Sequence, residues 1–197
     1  MSSRKTLTNP VNALLQALTS SSSSSSIQYV LKTFTTNPPP LIYEAGLPQL
    51  APFLGRAFTG VEGVRRYFEI LGETLSIEKM TFEDEDAWVV DTSAKAVVLR
   101  GNARFNWKGT GQAWDETFIY RIVLAVDLVD GNRGEGELKV SEYRVWADTG
   151  AAYLARCGKL SQLVNEDGDG DGILNESGKV ESRDVLGGGL NVYGSCG

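Results

Sequence analysis

The chain contains no histidine, and that absence narrows the chemistry open to it. Ser-His and Cys-His nucleophile systems, histidine metal sites and the usual base at neutral pH are all excluded. Acid–base chemistry falls to Asp, Glu, Tyr, Lys or Cys. Two aspartates stand in β-rich sequence: Asp115 near the start of one long apolar run and Asp148 at the end of another. A carboxylate desolvated by aromatic walls has a raised pKa and becomes a general acid or base. Arg121, or alternatively Arg104, is the charge that would orient such a group or stabilise an oxyanion. The candidate walls are Trp88, Trp107, Phe118, Tyr120, Tyr143 and Trp146, a set suited to an apolar ring system.

Each of these residues also has a structural reading. An aspartate ahead of a helical turn, as Asp148 is, commonly caps it. Asp115 and Glu116 beside Arg121 equally fit cross-strand ion pairs on a solvated face. The aromatic residues fit a packed core.

The elements that must position them begin with three long strands, Lys95 to Trp107, Gln112 to Val129 and Glu137 to Ala147. They are joined by the Gly-bearing turns 108–111 and 130–136. Strands this long leave one face wet unless the sheet curls over another layer. On the middle strand Trp114, Glu116, Phe118, Tyr120 and Ile122 share one face, and Asp115, Thr117, Ile119, Arg121 and Val123 share the other. Both faces mix polar with apolar residues, so alternation alone leaves open which one looks inward.

Upstream, Asn9 to Leu18 has the spacing of a short amphipathic helix with Pro10 in its first turn. Ser20 to Ser26 reads as a linker, and Ile27 to Thr35 as a second helix stopped by Pro38, Pro39 and Pro40. Leu41 to Ala45 is a short extended segment, and the apolar stretch Leu47 to Phe58 fits no single pattern. Val61 to Leu75 is a helix burying Val64, Tyr67, Phe68 and Leu71. Strands at Ser76 to Glu83 and Ala87 to Asp91 precede the meander, and Ala151 to Cys157 forms a last short helix. Helices followed by a run of returning strands make the class α+β.

Length and hydrophobic content, 197 residues and 42%, support one substantial core. The expected division is an N-terminal helix with a Ser-rich linker at 1–26, a domain at 27–160 and an acidic Gly-rich tail at 161–197. Most of the net charge of −6 lies in that tail, leaving about −1 for the rest. A near-neutral body without a basic stripe argues against nucleic acid as a partner. No stretch approaches the roughly eighteen apolar residues of a membrane span, and no apolar targeting run follows Arg4 and Lys5. The cysteines, Cys157 and Cys196, lack metal spacing, so a reduced, cytoplasmic protein is expected. In the tail, Asp167, Asp169 and Asp171 match the first half of a calcium loop. The glutamate that should close the loop is absent from that register, which leaves a solvated acidic tail as the other reading.

The segment Phe53 to Phe68, with its Thr59-Gly60-Val61-Glu62-Gly63 turn into a helix, resembles the SnoaL-like branch of the NTF2-like superfamily. So does the ending Glu142-Tyr143-Arg144-Val145-Trp146-Ala147-Asp148. The similarity spans roughly Ile27 to Leu160. It implies a cystatin-like, cone-shaped α+β barrel, its strongly curved antiparallel sheet wrapped on N-terminal helices, with a deep pocket and a homodimer formed through the sheet. Superfamily members include isomerases, dehydratases, cyclases, epoxide hydrolases and non-catalytic binding domains. In the cyclases and isomerases an aspartate near the end of the barrel serves as acid or base, and Asp148 occupies the matching position, although Ala147 shifts its register. In the epoxide hydrolases an arginine lies between two carboxylates, a role that Arg121 or Arg104 would fill.

The expectation is therefore an enzyme without a cofactor that cyclises, isomerises or dehydrates a small hydrophobic molecule. The competing expectation is a non-catalytic module that binds a lipophilic ligand or acts as a dimeric adaptor.

Overall fold

A computed structural model describes residues 3–19, 26–128 and 136–162. The Ser20–Ser25 part of the serine tract, Cys196 and the calcium candidates Asp167, Asp169 and Asp171 lie outside the described residues.

Among the described residues seven strands form one curved, open sheet: β1 (Leu41–Glu44), β2 (Ala57–Thr59), β3 (Leu75–Phe82), β4 (Val89–Asp91), β5 (Ala96–Trp107), β6 (Gln112–Val126) and β7 (Leu138–Trp146). Their order is β2-β1-β7-β6-β5-β3, with β4 also on β5. The meander β5-β6-β7 is antiparallel throughout, as its turn sequences imply. The sheet is nevertheless mixed, because β1 runs parallel to β7, pairing Leu41 with Glu142 and Glu44 with Val145. The preceding helices bring β1 to the sheet from outside the meander, so no hairpin fixes its direction.

Two irregularities bend the sheet. The β3–β5 register shifts between Ile77 and Lys79. The β6–β7 register skips Ser141, whose Oγ donates to the Val123 carbonyl at 3.1 Å. An extra residue on one strand increases local twist and turns a long ladder into a trough. Gly101 contributes at the trough floor. A Cβ there would lie 2.3 Å from Cε2 of Phe118, its cross-strand partner, so only glycine lets that ring lie flat across β5.

Among the described residues four α-helices complete the fold: α1 (Arg4–Thr19), α2 (Ser26–Lys32), α3 (Gly60–Thr74) and α4 (Thr149–Arg156). Helix α1 begins a turn earlier than the apolar stripe suggests, which places Pro10 inside it. The added turn is held by burial of Leu7 and Thr8 and by their neighbours, with Thr8 Oγ1 and Asn12 Nδ2 both donating to Glu85. Leu7, Val11 and Leu14 are fully buried, so α1 packs as part of the core. Helix α3 buries Val64, Tyr67 and Ile70 and turns its Glu62–Arg65 and Arg66–Glu73 pairs to solvent. Among the described residues, no helix is long and apolar enough to cross a membrane.

The inward face of the sheet is read directly from cross-strand rows. Leu99, Tyr120, Val145 and Glu44 align across β5, β6, β7 and β1, and all four are buried. Val97, Ile122, Tyr143 and Ile42 form the next inward row. The intervening row, Val98, Arg121, Arg144 and Tyr43, faces outward, with Arg144 set 5.6 Å over the Tyr43 ring.

Candidate functional site

Between the inward sheet face and the helices lies a cavity of about 700 Å³, within the range of small-molecule sites. Phe68 and Tyr67 of α3 face Trp114, Phe118 and Tyr120 of β6 and Tyr143 of β7 across it. The rings form a connected wall. Phe118 stacks on Tyr120 at 4.6 Å, Tyr120 meets Tyr143 edge-on at 4.8 Å, and Tyr67 meets Phe68 at 5.1 Å.

Two carboxyl groups are set into this wall. Glu44, the last residue of β1, is 7% exposed, and Glu116, two residues after Trp114 on β6, is 8% exposed. Tyr67 Oη donates to Glu44 Oε2 at 2.6 Å. Among the described residues no other hydrogen bond reaches the Glu44 carboxyl. Because no buried side-chain oxygen among the described residues lacks a partner, Glu44 Oε1 opens onto the cavity. Burial pushes Glu44 up to about 8, with the Tyr67 hydrogen bond opposing only part of the effect and the Glu116 charge adding to it. Glu44 is therefore mostly a neutral acid at pH 7.

Glu116 is held differently. Trp114 Nε1 donates to Oε2 and the Asp148 backbone N–H donates to Oε1, both at 2.6 Å. Burial raises this carboxyl too, but both donors favour its ionised form and pull against that rise. Two acids in one cavity, one lightly partnered and one held by two N–H groups, are an arrangement that can divide into a proton donor and a proton acceptor. Tyr67, Tyr120 and Tyr143 are all raised by burial and remain neutral phenols.

The residues first singled out for chemistry lie elsewhere. Asp115 is exposed on the outward face and pairs with Arg104 at 2.7 Å. Arg121 is also on that face and donates to Glu142 at 2.6 Å, so it does not approach the cavity carboxyls. Asp148 stands at the cavity rim with its carboxylate accepting from the N–H groups of Gly150 and Ala151, which makes it the N-cap of α4. It gives the site its backbone N–H, which donates to Glu116, and a nearby negative charge that adds to the rise of that carboxyl.

Of the six candidate wall residues, Phe118, Tyr120 and Tyr143 line the cavity. Trp88 is buried away from it, with Nε1 donating to the Glu83 carbonyl at 3.0 Å. Trp107 is buried at the end of β5 opposite Leu75, and Trp146 is 44% exposed on the outward face. No cluster of metal-ligating side chains occurs among the described residues. Cys157 is disulfide-bonded, contrary to the reduced state expected from its spacing, and so is no thiol nucleophile.

Glu116 was within reach of sequence reasoning. It is the only charge on the Trp114, Phe118, Tyr120, Ile122 face, whereas the opposite face carries both Asp115 and Arg121. Glu44 had no comparable signal, because a four-residue strand is too short to show a face.

No protein-family model and no curated protein matches the chain. Solved structures do. It is similar to an NTF2-like protein from Burkholderia xenovorans LB400, at 14% identity over 78% of this chain and 97% of that one, with a TM-score of 0.55. PrhC from Penicillium brasilianum NBRC 6234 is 18% identical over 83% of this chain and 93% of its own, with a TM-score of 0.55. BvnE pinacolase from Penicillium brevicompactum is 12% identical over 82% and 98%, with a TM-score of 0.53. Identities this low speak to architecture alone. With its curved sheet laid over α1 and α3 and its hollow between the layers, the chain has the NTF2-like fold, in the α+β class its sequence implies.

Proposed function

We propose that this protein is a cofactor-free acid–base enzyme that isomerises, cyclises or dehydrates a small hydrophobic metabolite, with Glu44 as proton donor and Glu116 as proton acceptor. One observation carries the reading: two buried carboxyl groups with different hydrogen-bond support share a single aromatic-walled cavity. A cavity serving only to hold a lipophilic ligand has no use for two desolvated acids, each of which disfavours burial. The pinacolase among the structures of this fold is a further support for catalysis on such a scaffold.

The mechanism follows from the groups present. Oε1 of Glu44 opens onto the cavity, so a protonated Glu44 can donate to a substrate oxygen or double bond lying there. Tyr67 then stabilises the carboxylate left behind through its existing hydrogen bond. Glu116, fixed by Trp114 and the Asp148 N–H, takes a proton from a neighbouring carbon. The aromatic walls exclude water and hold the ring system in place.

The same reading includes a homodimer through the outward sheet face, where the cross-strand partners Ile119 and Trp146 are both exposed, and a cytoplasmic location. The deciding experiment screens apolar metabolites for thermal stabilisation of the full chain, since a ligand of the native state alone raises Tm. Hits are then assayed for turnover with wild type, Glu44→Gln and Glu116→Gln. Lost turnover with ligand affinity retained supports the acid–base roles. Turnover unaffected by either substitution rejects them.

A further inference from the structure

The charge inside the cavity has a sign. Its interior titratable groups are Glu44, Glu116, Tyr67, Tyr120 and Tyr143, whereas the lysines that touch it, Lys79 and Lys108, are exposed at the rim. Lys108 Nζ is engaged there by the Gly72 carbonyl. The described lining therefore places no cation in the interior.

A reaction that builds negative charge needs donors aimed at it, and here most are already committed. Tyr67 donates to Glu44, and both the Trp114 indole and the Asp148 N–H donate to Glu116. An oxyanion would also have to form in the same enclosure as the Glu116 carboxylate. Aromatic faces, by contrast, present negative charge density to whatever lies against them. Phe68, Phe118, Tyr120 and Tyr143 supply such rings to the cavity.

We infer that the cavity is built for positive charge: its substrate is a hydrophobic, ring-bearing alcohol, alkene or ketone that becomes cationic as it reacts, and lipophilic amines bind as mimics of that state. This rests on the acid–base reading above and gives it a direction. In the first step the Glu44 O–H bond breaks, and an electron pair of the substrate's oxygen or double bond takes the proton, leaving a cation. In the second, Glu116 removes a proton from an adjacent carbon, and the released C–H pair neutralises the cation; with an alcohol, the protonated C–O bond breaks between these steps and its electron pair leaves with water. One proton enters and one leaves, no oxidant or reductant is involved, and exchange with solvent resets the two acids.

The test uses three probes of similar shape on the full chain at pH 7: N-methyldecahydroquinoline (cationic), methyldecalin (neutral) and decalin carboxylate (anionic). The amine is expected to bind about tenfold or more tightly than the hydrocarbon, with the carboxylate weakest. Glu116→Gln should remove most of the amine's advantage while leaving hydrocarbon binding unchanged. The wild-type ranking stands as a test even if that variant folds poorly. Equal binding of amine and hydrocarbon, or tighter binding of the carboxylate, overturns the cationic inference and leaves the acid–base reading in place. Failure of all three to bind overturns both.

Discussion

Asp127 and Glu44 are both removed from solvent, at 1% and 7% exposure, yet their surroundings drive them in opposite directions. Burial alone would raise Asp127. Instead its Oδ1 accepts from the N–H groups of Thr36 and Asn37 and from Thr36 Oγ1, and its Oδ2 accepts from Lys139 Nζ at 3.0 Å. Four donors hold it well below the usual carboxylate range. Glu44 has one donor and rises to about 8. Burial thus does not distinguish an acid that fastens the fold from one available for chemistry. The count of committed lone pairs does.

The strongest way to break this contrast is kinetic. Glu44→Gln and Glu116→Gln should each lower kcat by about 10²- to 10⁴-fold, whereas Asp127→Asn should leave turnover per folded molecule within about twofold. Equal losses from all three would erase the distinction.

Stability should respond with opposite signs. Glu44 titrates near 8 when folded and near its ordinary 4.5 when unfolded, so the native state binds the extra proton between those values. Its contribution is complete below pH 4.5 and declines as pH rises to about 8, by about 1.4 kcal/mol per pH unit. Glu44→Gln should therefore be more stable than wild type by several kcal/mol at pH 8.5 and little different at pH 4.5, as read by urea melts. Asp127 has a lowered pKa, so its contribution is present above the ordinary value of 3.8 and is lost as pH falls below it. Asp127→Asn should lose about 3 kcal/mol near pH 7 and flatten the acid limb of the stability profile.

Smaller effects sharpen the boundary of the site. Asp148→Ala removes the cap of α4 and should cost about 1 kcal/mol, while Asp148→Asn, which still caps, should leave both stability and turnover close to wild type. A large kcat loss in Asp148→Asn would return that carboxylate to the chemistry. Asp115→Asn breaks an exposed pair with Arg104 and should change stability by less than about 0.5 kcal/mol.

The scaffold was more legible than the site for a physical reason. Strands β5, β6 and β7 are long, rich in β-branched and aromatic residues, and bounded by glycine turns, so local sequence sets their limits to within a few residues. Helix α3 likewise announces itself through Val64, Tyr67 and the charged residues between them. The parallel placement of β1 depends on contacts between Leu41–Glu44 and Glu142–Val145, about a hundred residues apart, and no local pattern encodes it. The site inherits that difference. Glu116 rides on a readable strand and could be picked out as the lone charge among aromatics, whereas Glu44 becomes a site residue only through β1. Asp115 and Asp148 drew attention because acids near arginine or at strand ends often do chemistry, and both proved to have ordinary partners.

That parallel join also bears on the order of assembly. A chain that has closed only its C-terminal hairpins already owns Glu116, Phe118 and Tyr120, but it has no proton donor until the N-terminal third docks alongside β7. Competence for turnover should therefore lag behind the appearance of β structure during refolding, and the missing interval is the time needed to seat one four-residue ribbon.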